Sequence, residues 1–119
     1  MVNGYVNLPQ KIVDAIHNIP KTDDAYTTTI HDAELCDEVH RIFNLGKPVL
    51  FSADTPIGAR VTAFMVIGAT GDSETYDDNA IAFFGTVTIT ITASSRPTEG
   101  PDGDVIYAKS VYISLLIND

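Results

Sequence analysis

The sequence predicts an α+β domain, mainly antiparallel β, with one packed helix and a short N-terminal helix. Three observations carry this: strict two-residue alternation over Thr86-Val87-Thr88-Ile89-Thr90-Ile91-Thr92, two stretches whose apolar residues recur at helical spacing, and turn-rich segments between the apolar runs. The chain of 119 residues is long enough for one core, and 45% apolar and 19% charged content, spread along it, exclude wholesale disorder.

Residues 8–20 read as a helix because Pro9 suits a first helical position and Pro20 ends it, while Ile12, Ile16 and Ile19 recur at i, i+4, i+7 beside Val13. A helix this short is marginal alone in water, so its stripe must dock on something. The expected division is therefore an N-terminal helical attachment segment over 1–22, with Leu8, Ile12, Ile16 and Ile19 as interface residues, and a β-rich α+β domain over 23–119.

Residues 26–30 have the β-branched composition of a strand. From Asp32 to Asn44 the positions Leu35, Cys36, Val39, Ile42 and Phe43 follow helical spacing, with Asp32 and Glu34 in the first turn and Arg41 near the end, as the helix dipole favours. Gly46 offers a left-handed stop. Strands are expected over 47–53 and 59–67, joined by a turn at 54–58, and 68–79 is expected as an exposed loop with the acids Asp72, Glu74, Asp77 and Asp78. Residues 80–92 carry the alternating strand, with Val87, Ile89 and Ile91 facing the core. The segment 94–103 is a proline and glycine loop, across which 104–117 returns antiparallel.

Seven basic against sixteen acidic residues leave a formal charge of −9. That balance repels phosphate backbones and anionic lipid, and the basic residues are scattered singly, so neither nucleic acid nor a membrane surface is expected as a partner. No basic leader or long apolar run marks a signal peptide or membrane helix. Cys36 is the single cysteine, which excludes an internal disulfide and fits folding in a reducing cytoplasm.

Cys36 and His40 stand four apart on one helical face, half of a zinc site, but His17 and His31 lack ligand spacing, so a packed core thiol is the expectation. A nucleophilic cysteine needs a stabilised thiolate and an oriented base, and no such pattern accompanies Cys36. Asp102-Gly103-Asp104 is β-turn chemistry and lacks the alternating ligands of a calcium loop. Gly68-Ala-Thr-Gly71 is too short for a phosphate loop. No enzyme, metal or cofactor is therefore expected. The ladder Thr86, Thr88, Thr90, Thr92 suggests a flat recognition face, but a single threonine strand is ordinarily solvated. A long, weakly charged strand of this kind needs cover from the C-terminal strand or another subunit.

Three segments resemble small head-fibre or tail-fibre-like virion proteins of gut-bacterial phages and prophages. Residues 4–16 are similar to their N-terminal helix beginning just after a Leu-Pro pair, here Leu8-Pro9. Residues 31–50 resemble their helix followed by a Gly-Lys-Pro-Val strand, here Gly46-Lys47-Pro48-Val49, and Ile81-Ala82-Phe83-Phe84-Gly85 resembles their aromatic strand. Family members often carry a glycine-rich linker after the first segment, where this chain has the short polar stretch 21–26. The resemblance implies a symmetric, trimeric virion appendage or capsid decoration, made in the host bacterial cytoplasm. Its partners would be other virion proteins, with host-surface attachment to a glycan or protein as a further role. A small intracellular binding or regulatory domain, also non-enzymatic, remains the alternative; assembly state separates the two, because a virion appendage is a closed oligomer.

Overall fold

The computed structural model describes residues 6–23, 25–58, 60–71 and 74–117. Gly4 and Tyr5 of the first resembling segment, Ala59 and Asp72 lie outside them. Eight strands and two helices follow one another among the described residues: β1 (Val6–Asn7), α1 (Gln10–His17), β2 (Lys21–Thr22), β3 (Ala25–Ile30), α2 (Ala33–Phe43), β4 (Val49–Asp54), β5 (Arg60–Gly68), β6 (Tyr76–Phe84), β7 (Val87–Glu99) and β8 (Val105–Ile117). The strands form one sheet in the order β1-β4-β5-β6-β7-β8-β3-β2. Every neighbouring pair is antiparallel except β1 with β4, so the α+β, mainly antiparallel architecture is what the chain adopts.

Both helices cover the same face of the sheet, α1 on β4 and α2 on β6, β7 and β8. Lys11 Nζ bonds Asp32 Oδ2 at 2.8 Å and ties the start of α1 to the N-cap of α2. Asp32 caps α2 by accepting from the Leu35 N–H at 3.0 Å, one position earlier than a first-turn role. Asn44 is the C-cap, and Gly46, two residues on, holds the left-handed φ of +69°.

Leu8, Ile12, Ile16 and Ile19 are buried in the same cluster as Val49, Phe64, Val39 and Ile89, so they do not form an intermolecular interface. That corrects the expected attachment segment. Strand pairing joins the two expected units as well: β1 adds to β4 beside Val49, and β2 pairs with β3, so no boundary falls at residue 22. The stripe needed a partner, and the chain's own β4 provides it.

Three loop expectations also change. Residues 80–92 are two strands, not one, because Gly85 at φ +58° opens a two-residue turn between Phe84 and Val87, the primed hairpin type with glycine first. Pairing with β7 makes residues 76–79 the start of β6 and not part of a loop, with Tyr76 opposite Ser95. The expected 94–103 loop shrinks to a tip at 100–104, because Arg96 to Glu99 continue the ladder with Ala108 to Val105. Antiparallel pairing of β7 with β8 and the inward facing of Val87, Ile89 and Ile91 are as expected.

Candidate functional site

Beneath α2 the sheet presents polar groups to the helix, and two linked knots of hydrogen bonds result. Asp78 is fully buried, one turn of pleat from Tyr76, although it lies in what reads as an acidic loop. Its Oδ2 pairs with His40 Nδ1 and accepts from Asn44 Nδ2 at 3.1 Å, while Oδ1 accepts from the Thr70 N–H at 2.9 Å. The ring of Tyr76 stacks on His40 at 3.8 Å between centroids.

Tyr76 leads into the second knot. Its hydroxyl has one proton, which goes to Asp37 Oδ1 at 2.8 Å, with Cys36 Sγ at 3.2 Å. Lys109 Nζ donates to both Asp37 oxygens, at 2.8 and 3.0 Å. Burial alone would raise the Asp37 pKa, but hydrogen bonds from Lys109 and Tyr76 outweigh it and hold the carboxyl below its ordinary value. Burial pushes the Cys36 thiol up, more than its bonds with Tyr76 and the Ser94 and Ser110 carbonyls lower it. A nucleophile needs the opposite shift, so Cys36 is an inert core thiol. Among the described residues no three His, Cys, Asp or Glu side chains gather as a metal-holding group. Cys36 and His40 do share a face, and Tyr76 lies against both, its ring on His40 and its hydroxyl at Cys36 Sγ. These knots fix α2 on the sheet.

Among the described residues no helix covers the opposite face of the sheet, and strand pleating sends every second side chain there. Register aligns these into ranks. Thr27, Ser114, Thr90, Ile81 and Met65 form one rank across β3, β8, β7, β6 and β5. Thr29, Tyr112, Thr92 and Asn79 form the next, where Thr92 Oγ1 donates to Asn79 Oδ1 at 2.7 Å. Leu116, Thr88 and Phe83 form a third, toward the Gly85 turn. Threonines from β3 thus join the ladder of β7, so the expectation of a single threonine strand is corrected; β3 and β7 lie far apart in sequence and are brought together only by β8.

None of the side chains in these ranks is charged, in a chain of net charge −9. Met65, Phe83 and Leu116 are 60%, 64% and 65% exposed. The first charges met along the strands, toward the β7–β8 tip, are Asp77 and Arg96, which pair with each other at 3.2 Å. Sequence reading missed this face because its members alternate with core residues on five separate strands. The alternation of β7 was the available signal, and the parity of β8 was its continuation.

No protein-family model, curated protein or solved structure matches the chain. Among the described residues no helix is long and apolar enough to cross a membrane.

Proposed function

We propose that this protein is a structural component of a phage virion, of the head-fibre, tail-fibre or capsid-decoration kind, which acts by assembling into a closed homotrimer with other virion proteins around it. The uncharged open face with Met65, Phe83 and Leu116 exposed is the observation that carries the assembly reading. Apolar surface of that kind, on one flat side of a sheet, marks a protein contact. The virion part of the reading is supported by the three resembling sequence segments.

Light scattering behind a sizing column tests it. A mass three times that of the chain is expected, and Phe83→Asp should return the protein to monomer while its cooperative melt persists, since Phe83 packs little within its own chain. A parent protein that stays monomeric at high micromolar concentration overturns the reading in favour of a small binding domain.

A further inference from the structure

The threonine ladder of β7 has no part in the apolar contact proposed above, and the fold sets it beside hydroxyls from two other strands. Phe83 and Leu116 stand toward the Gly85 turn and Met65 stands on β5, whereas across β3, β8 and β7 the residues Thr27, Thr29, Thr90, Thr92, Tyr112 and Ser114 line a depression of about 170 Å³. Tyr112, 47% exposed, lies between Thr29 and Thr92 in its rank, ~13 Å along β8 from Leu116 at the usual rise per residue. Among the described residues Thr92 is the one of the six whose hydroxyl bonds a neighbouring side chain, Asn79 Oδ1 at 2.7 Å, which leaves Asn79 Nδ2 as a donor.

We propose that this depression binds a neutral saccharide, with one sugar ring laid against Tyr112 and its hydroxyls bonded to those of the threonines and Ser114 and to the Asn79 amide. Such a site needs only the folded face of one copy, so it stands whether or not copies assemble. A sugar ring has an apolar C–H side, which an exposed aromatic ring accepts, and a rim of hydroxyls that donate and accept as those of threonine and serine do. The site is also prepared in advance. Threonine is stiff about χ1 and tyrosine turns about only two angles, so little freedom is lost on binding. Beneath them β8 is paired on both sides, which fixes the backbone.

Other occupants fit worse. An anion needs a cation, and every residue that lines the depression is uncharged, in a chain of net charge −9. An apolar side chain would take water from the hydroxyls and return no hydrogen bond. A partner strand needs a free backbone edge, and β8 offers none here, because Thr29 and Thr92 flank Tyr112. The depression is smaller than the roughly 300–1,000 Å³ of pockets that enclose a drug-sized ligand, so it takes one ring and leaves the rest of an oligosaccharide in solvent.

An array of neutral oligosaccharides of the gluco, manno and galacto series, set beside sialylated and sulfated forms, tests the full chain. Binding to at least one neutral member is expected, with no gain from the acidic groups. In titrations with that sugar in solution, Tyr112→Ala should abolish binding, Tyr112→Phe should keep it, and Thr29→Val with Thr92→Val should weaken it by roughly tenfold, each variant retaining the parent's melt. Phe83→Asp should bind as the parent does. A parent that binds no neutral member, or a Tyr112→Ala variant that binds like the parent, overturns the site. Preference for the acidic forms overturns it too, since that requires cations the depression lacks. Loss of binding in a folded Phe83→Asp variant would move the ligand to the apolar corner and overturn the site as well. A monomeric parent that binds the sugar removes the assembly reading and leaves the site standing. If Tyr112→Ala loses its melt, Thr29→Arg, which fills the depression from its rim, takes its place with the same expected loss.

Discussion

Tyr76 joins the two hydrogen-bond knots, and the fold favours its neutral form. Burial raises its pKa above the ordinary 10.0, and the hydrogen bonds with Cys36 and Asp37 raise it further; Cys36 is likewise pushed above its ordinary 9.0, by burial first. A group that holds its proton more tightly folded than unfolded contributes stability that is complete below the unfolded pKa and is lost as pH rises past it. The melting temperature should therefore fall as pH rises above about 9. Tyr76→Phe should lower the melting temperature at neutral pH, through the loss of the Asp37 bond, and flatten the alkaline decline. Thermal melts from neutral to strongly alkaline pH check this, and parallel declines for parent and variant would count against it. On the acid side the sign reverses: Asp37 is depressed, so its contribution is present above the unfolded carboxyl range and disappears as pH falls through the lower folded value.

At the scale of elements, α1 shows how far local pattern reaches. Pro9, the isoleucine spacing and Pro20 specify the helix and its buried stripe, and Ile12 and Ile16 are indeed fully buried. The pattern has no information on whose surface receives the stripe. Since β4 of the same chain does, Ile12→Ala should cost about 2–5 kcal/mol, a large part of the 5–15 kcal/mol that holds a typical domain. Ile12 and Ile16 changed together to aspartate should abolish the cooperative melt of the whole chain in denaturant unfolding. A double variant that unfolds with the parent's midpoint would restore the attachment-segment reading. The strand elements teach a complementary lesson. Arg96-Pro97-Thr98-Glu99 has loop composition, yet β8 imposes a strand on it. The Phe84 to Val87 hairpin was hidden because one glycine is its only signal between two apolar runs.

For the molecule as a whole, charge and sheet architecture combine into a prediction about salt. If copies of net charge −9 meet through an uncharged face, added salt screens the repulsion between them without weakening the contact. Association measured by sedimentation should tighten between low and moderately high salt; an interface built on ion pairs would weaken instead. The open face was half legible. Alternation in β7 announced a strand with one apolar and one hydroxyl side.

What the sequence by itself determined is whatever depends on near neighbours along the chain: the two helices and their stripes, the alternation of β7 and β8, and the placement of Cys36 and His40 on one helical face. Only the tertiary structure decided that α1 packs on its own sheet, that an aspartate from an acidic stretch is buried against His40 and Asn44, and that Thr27 and Thr29 line up with Thr90 and Thr92 through β8. The physical reason is the same in each case. Periodicity fixes which way a side chain points relative to its own backbone, whereas its surroundings depend on strand register between segments far apart in the chain, as in the pairing of Tyr26 with Leu115.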